Sequence, residues 1–365
     1  MGDLISPGVQ VKEKDLTASV RSEPTSIGAT AITATWGPMN EVITINDETQ
    51  LVDIFGKPDD GNFEYWFTAA NFLAYTNTLR LVRMEQTGSL NAGVSAGVLI
   101  PNTTSWLVGD GTNGPFSTGQ GSVGSTAARF PGVRGNSIKV SYCWDAAGYY
   151  EKAKTTTAVN GAAGDQTLTV VNGALLNVND IITIGNTTGN VTNVAVEVAE
   201  KGQMYKVLAI NTNDITIERY PSSNATGLKS AVAGDVAGVE VNRWWQYYDQ
   251  FDAAPATTSW CKNMQQGATT GVDEMHLIVL DADGTITGVS GTILEKYTGL
   301  SKFIGAVTDS GDSNYWWDAV YIGSNYIYIM DNPAGATNWG TAPNPNGTAA
   351  TTPTAAFESA QLTGG

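Results

Sequence analysis

Asp47-Glu48-Thr49-Gln50-Leu51-Val52-Asp53-Ile54-Phe55-Gly56-Lys57-Pro58 carries both end signals of a short helix. Asp47 is an N-cap, Gly56 a C-terminal stop, and Pro58 lies just beyond it. A second helix follows, capped by Asp60 or Asn62. Its Phe63, Trp66, Phe67, Ala70 and Leu73 recur at the i, i+3, i+4, i+7 spacing of one buried stripe. Asn77 closes it, and Leu79 to Met84 reads as a strand with Arg80 and Arg83 interspersed. Upstream, Gly28 to Trp36 alternates as a strand until Trp36-Gly37-Pro38 breaks it, and Val42 to Ile45 is a second short strand. Residues 26–86 thus predict a small α+β unit. A unit of roughly 60 residues buries little surface and is marginal alone, so its core is expected to be completed by chain from elsewhere.

Before this unit, residues 1–25 read as an extended arm. Pro7 of Ser6-Pro7-Gly8-Val9-Gln10-Val11-Lys12 fixes φ and biases Ser6 towards extended geometry. Gly8 permits a bend, after which Val9 and Val11 point one way and Gln10 and Lys12 the other. Such an arm has no partner within its own first residues. Ser6, Pro7, Gly8, Val9 and Val11 are therefore the candidate interface residues, suited to pairing with a neighbour's sheet edge.

The whole chain has 365 residues, room for two or three domains. Its 41 Gly and only 15% charged residues suit short strands and turns and argue against a helical bundle. Aromatic residues are numerous enough to build cores. Net charge is −16 with the basic residues scattered singly, which disfavours nucleic-acid contact. Cys143 and Cys261 have no second cysteine nearby, which fits a reducing compartment with both thiols buried. No apolar run reaches membrane-spanning length and no signal core opens the chain, so neither membrane insertion nor signal-directed secretion is expected.

The fold class expected is α+β multidomain. Residues 87–150 and 241–333 read as a β-rich middle domain, with strands at Asn136–Trp144, Met275–Leu280 and Tyr326–Met330. Thr285–Tyr297 completes a tight hairpin there, and Tyr315–Tyr321 forms an aromatic helix. Turn signals recur through 151–240 at strand spacing, between Gln166–Val171, Ile181–Ile184, Val191–Val198, Tyr205–Ile210 and Ile215–Arg219. That segment predicts an inserted β-barrel or sandwich tethered by Lys152–Thr157 and Ala231–Gly238. Residues 334–365 read as a Gly/Pro/Thr/Ala-rich linker, and the final Leu362-Thr363-Gly364-Gly365 reads as a cut through a longer product.

One string looks like catalysis. Leu277-Ile278-Val279-Leu280-Asp281-Ala282-Asp283-Gly284-Thr285 resembles the nucleophile motif of haloacid-dehalogenase phosphatases, an apolar strand followed by Asp-x-Asp-Gly-Thr. In that family the first Asp attacks phosphorus, the second is the general acid/base, and Mg²⁺ neutralises the phosphate. Here the motif comes late, with no acidic pair of the metal-binding type after it. The preferred reading is a hairpin corner with Gly284 in the left-handed position. Gly93-Val94-Ser95-Ala96-Gly97 matches a nucleophile-elbow string, but the sole histidine, His276, sits inside an apolar strand. The GxGxxG matches at 109–114 and 119–124 open no helix. Asp309, Asp312 and Asp318 lack calcium-loop spacing. The pairs Trp244-Trp245, Tyr247-Tyr248 and Trp316-Trp317 are read as core or subunit interface in preference to base or sugar stacking. No enzyme, metal or cofactor is expected.

Four stretches carry a resemblance: Ser6-Pro7-Gly8-Val9; Ser26-Ile27-Gly28-Ala29 with Trp36-Gly37-Pro38; Leu51 to Pro58 continued by Trp66–Tyr75 and Leu79–Arg83; and Phe130-Pro131-Gly132-Val133-Arg134-Gly135-Asn136-Ser137-Ile138. In this order and spacing the chain resembles the N-terminal half to two-thirds of contractile tail sheath proteins of large T-even-type myoviruses. The resemblance implies a virion tail component, assembled in the host cytoplasm as stacked hexameric rings around an inner tube, with tube, baseplate and tail terminator proteins as partners. It implies contraction driven by subunit interfaces, an N-terminal arm that adds a strand to a neighbour, and an outward-projecting inserted barrel. The alternatives kept are a Mg²⁺-dependent phosphatase using Asp281 and Asp283, and a glycan-binding module at 151–240.

Overall fold

Asp47 Oδ1 accepts the Gln50 N–H at 2.8 Å, and this cap starts α1 (Glu48–Phe55). Gly56, at φ 84°, ends it. The computed structural model describes residues 26–108, 122–159, 161–185, 203–221, 226–229, 239–264, 272–342, 350 and 359–365. The arm at 1–25, the glycine string at 109–114, the strand expected at Val191–Val198 and the tether expected at 231–238 lie outside the described residues. So does the start of the string at 119–124.

The chain divides into two units, 1–34 with 41–84 and 35–40 with 85–365. In the first, β1 (Gly28–Ile32), β2 (Val42–Ile45) and β3 (Leu79–Arg83) form a sheet in the order β1-β3-β2, with β1 parallel and β2 antiparallel to β3. α1 and α2 (Phe63–Leu73) supply the rest of a core built from Ile32, Ile45, Leu51, Phe55, Trp66, Ala69, Leu79 and Leu81. The Trp66 indole N–H donates to the Gly56 carbonyl at 3.0 Å, tying α2 to the end of α1.

The stripe expected on α2 is rotated. Trp66, Ala69 and Ala70 are buried, whereas Phe63 and Phe67 are 47% and 49% exposed. The helix is apolar on more than one side, so spacing alone selects no face. The large indole, with its buried donor satisfied, settles inward instead.

In the second unit, β5 (Ile138–Cys143), β12 (Glu274–Asp281), β13 (Thr292–Ser301) and β15 (Ser359–Gln361) form an antiparallel sheet in the order β13-β12-β5-β15. Side chains alternate through it. Ile138, Val140, Tyr142, Met275, Leu277 and Val279 enter the main core with Trp106, Trp144, Trp316, Tyr328 and Leu362. Ile278 and Leu280 enter a second core with Cys143, Tyr149, Trp245 and Phe251. Because both faces are covered, β12 reads as a nearly unbroken apolar run.

α3 (Trp316–Gly323) packs near β14 (Ile327–Ile329), which pairs with β4 (Thr126–Ala128). Trp36, from the stretch 35–40, joins this core and meets Phe130 edge-on at 5.4 Å. Two expectations fail here. The strand after the Asp281 corner begins at Thr292, not Thr285, because the Gly284, Ile286, Thr287 and Gly291 N–H groups fold back onto Asp281 and the Gly288 N–H donates to the Gly284 carbonyl. The expected linker ends in β15, and Leu362 is fully buried.

The remaining strands form a six-stranded sheet in the order β6-β11-β8-β9-β10-β7, where β6 is Tyr150–Thr156, β7 Thr167–Thr169, β8 Ile181–Ile184, β9 Met204–Asn211, β10 Asp214–Tyr220 and β11 Glu240–Trp244. Its core gathers Leu168, Val170, Ile182, Ile184, Tyr205, Val207, Ile215, Ile217 and Val241. The expected barrel is not closed. Its end strands β6 and β7 meet only at their margins, where Thr157 bridges Val170 and the Ala158 and Val171 N–H groups donate to the Thr169 and Thr156 carbonyls, each at 2.8 Å. The segment read as a tether, 152–157, is itself mostly strand β6. It pairs with β11, so the expected boundaries at 151 and 240 fall at paired strands.

Candidate functional site

Asp281 ends β12 and is fully buried. Its Oδ1 accepts from Ser137 Oγ at 2.6 Å and the Gly284 N–H at 3.0 Å. Its Oδ2 accepts from the Ile286 N–H at 3.0 Å, the Thr287 N–H at 2.7 Å and Thr287 Oγ1 at 2.8 Å. Burial alone would raise this carboxyl, but the donors from Ser137, Thr287 and Ile286 outweigh it and hold the pKa below the usual carboxylate value. Five donors occupy the roughly four lone-pair sites of a carboxylate.

No oxygen of Asp281 is left to attack phosphorus. Asp283 Oδ2 in turn accepts from Gln361 Nε2 at 2.6 Å, and the Asp283 N–H donates to Ser137 Oγ at 3.2 Å. The motif is a knot that ties the β12–β13 connection to β5 and β15. Lys296 Nζ and Lys302 Nζ donate to the carbonyls of Gln250 and Val272, at 2.9 and 3.3 Å.

The other candidate residues are likewise structural. Ser95 sits in a tight bend closed by the Asn91–Val98 bridge, and its N–H donates to the Val123 carbonyl at 2.8 Å, with no helix following. Cys143 and Cys261 are buried free thiols, and burial pushes both thiol pKa values up. Trp245, Trp316 and Trp317 are buried, and Tyr142 stacks on Trp144 at 4.3 Å, so the aromatic pairs fill cores. Among the described residues no group of three His, Cys, Asp or Glu side chains is placed to hold a metal ion. Nor is any described helix long and apolar enough to cross a membrane. Ser6, Pro7, Gly8, Val9 and Val11 lie outside the described residues.

Sequence reasoning missed several buried charges, Arg243, Asp180 and Lys302 among them. Arg243 on β11 is fully buried and donates through Nη2 to the carbonyls of Ala147 and Gly148, each at 3.0 Å. Its Nη1 lies 4.0 Å from Asp180 Oδ2. Burial pushes the Asp180 carboxyl up to about 7, against the pull of Arg243. Lys302 is also buried, with Nζ 5.6 Å from the Trp339 ring centroid, and burial lowers its pKa to about 8. Nothing local marks Arg243 or Lys302: β11 reads Glu-Val-Asn-Arg-Trp, with no apolar alternation for Arg243 to break.

Residues 25–84 match the family model described as the tail sheath protein Gp18 domain III N-terminal region. The chain is 39% identical over 90 residues to a tail sheath protein of Vibrio phage KVP40, covering 24% of this chain and 13% of that one. It is 38% identical over 80 residues to the tail sheath protein of Enterobacteria phage T4, covering 22% and 12%. A tail sheath protein of Salmonella phage ViI aligns over 348 residues at 25% identity, covering 89% of this chain and 49% of that one. The chain thus spans about half of that relative's length. A crystal structure of a sheath tail protein from Listeria innocua covers 59% of this chain and 34% of that chain at 12% identity, with a TM-score of 0.20, too low to support the fold. In sequence, the chain is similar to the contractile tail sheath proteins of T4-like phages, as its opening stretches imply.

Proposed function

We propose that this chain is part of the structural subunit of a contractile phage tail sheath, with the work done by contacts between copies. The observation that supports this most is the match of residues 25–84 to a sheath domain, continued by a weaker alignment along most of the chain. The internal wiring of Asp281 agrees with it, since the one catalytic-looking motif is consumed by folding.

In this reading residues 26–86 are one part of a domain whose remainder lies in sheath sequence beyond this chain. The outward-facing Phe63, Tyr65 and Phe67 of α2 suit such a role, being 47%, 48% and 49% exposed. Residues 87–150 and 241–333 form the middle domain, and 151–240 an outward module. Ser6, Pro7, Gly8, Val9 and Val11 add a strand to a neighbouring copy. The full-length product stacks as hexameric rings around an inner tube, between baseplate and terminator proteins, in a virion assembled in the host cytoplasm.

Electron microscopy of the full-length protein tests this directly. Helical tubes are the expected result, and monomers persisting at high concentration would overturn it. Deleting residues 1–12 from the full-length protein should prevent tube growth while leaving the far-UV spectrum unchanged.

A further inference from the structure

His276, the sole histidine of the chain, is buried on β12 and is held at both ring nitrogens. Nε2 lies 2.9 Å from the Ala253 carbonyl, and Nδ1 lies 3.1 Å from the Gly299 backbone nitrogen. A backbone N–H can only donate, so Nδ1 must accept, and the ring proton belongs on Nε2, where it donates to Ala253. The site is therefore built for neutral imidazole. A second ring proton would turn Nδ1 into a donor facing another donor.

Both partners are mechanically significant. Gly299 lies in β13 where the ladder slips: Met275 pairs with Leu300 and Leu277 with Tyr297, leaving Thr298 and Gly299 opposite His276 alone. Gly299 has φ 65°, so it serves as the left-handed residue of a bulge. Ala253 belongs to the segment after Phe251, and the Phe251 ring stacks on the imidazole at 4.5 Å and 2°. One side chain thus joins the bulge of β13 to the segment covering the second core.

We propose that His276 is an acid-sensitive latch, and that its protonation releases both the Gly299 bulge and the segment around Ala253. The charged and titratable groups around it do not offer a ready substitute. Glu274 Oε2 is engaged by the Ala256 N–H at 2.7 Å. Lys296 Nζ already lies 5.5 Å from the centroid of the Phe251 ring on which a cationic imidazole would stack. Tyr149 meets the imidazole edge-on at 6.4 Å, its hydroxyl donating to the Tyr248 and Phe251 carbonyls. Asp249 and Asp252 flank Tyr149 electrostatically, and Cys143, opposite on β5, is an un-ionised thiol. Burial pushes the imidazole pKa down, against the Ala253 carbonyl and Glu274. The neutral form's contribution is therefore complete above the ordinary histidine value of about 6.5 and is lost as pH falls through the lower folded value.

The test uses the whole chain with ¹³C-labelled histidine, whose single ring resonance gives the titration of His276 without assignment. Amide exchange between pH 4 and 8, expressed as protection factors, is followed in parallel. Protection in peptides spanning 249–256 and 296–301 should begin to fall near pH 6.5 and level off at the midpoint of the ring titration, by about tenfold for each unit that midpoint lies below 6.5. In His276→Gln the fall should disappear. Protection that keeps falling below the ring midpoint or does not change between it and pH 6.5, a histidine titrating at or above 6.5, or a fall that persists in His276→Gln would each overturn the latch. If the variant does not fold, the wild-type comparison of protection with the ring titration decides alone.

Discussion

Asp281 and Asp180 are both carboxylates sealed from water, and their surroundings push them in opposite directions. Asp281 has five donors and stays charged. Asp180 accepts from the Asn177 N–H at 2.8 Å and meets a guanidinium only at 4.0 Å. Replacing Asp281 with alanine leaves the buried Ser137 hydroxyl and the part-buried amides of Gly284, Ile286 and Thr287 without their acceptor, an unmet buried donor costing about 1–3 kcal/mol. Urea unfolding of Asp281→Ala should accordingly show a loss of at least about 3 kcal/mol. Asp180 predicts a pH effect instead. Its folded pKa is raised from 3.8 to about 7, so the folded chain holds that proton more tightly. The associated stability is full below the unfolded value and drains away as pH rises through about 7. Asp180→Asn should therefore gain on wild type in melting temperature as pH rises from about 4 to 7; a constant difference would contradict this. The Asp281 corner was legible because its turn residues are contiguous. Asp180 was not, because its partner arrives from β11, which neighbours β8 in the sheet but lies about sixty residues on in the sequence.

Helix and strand ends were readable wherever local chemistry sets them. Asp47 and Gly56 bracket α1 as their side-chain and backbone properties require, and Gly284, at φ 79°, marks the corner after β12. Facing was harder to read, because facing is decided by what lies opposite. On α2 the test is direct: Trp66→Ala should cost about 3–5 kcal/mol. Phe63→Ser with Phe67→Ser should stay within about 0.5 kcal/mol per site in this chain. β15 was invisible for a different reason. Ser359-Ala360-Gln361 has no strand pattern of its own and becomes a strand because β5 offers an unpaired edge. Leu362 then drops into the main core, so Leu362→Ala should lower stability by about 2–5 kcal/mol in denaturant titration.

Across the molecule, the two units keep separate cores: Ile32, Leu51, Phe55, Trp66 and Leu81 share no cluster with Tyr142, Trp144, Leu277 and Trp316. A chain built this way departs from two-state unfolding. Calorimetry should resolve two transitions, with Trp66→Ala lowering only one; a single cooperative peak moved by that substitution would refute the separation. β13, at the end of its sheet, carries both slips of the β12 ladder, one at Thr298–Gly299 and one at Leu294. Each extra residue winds the strand and throws its outer amides out of line. A stray strand from another copy would find rungs at uneven heights and could not zip along them. Strand addition at this rim is therefore disfavoured, and the edge is shaped to be left alone.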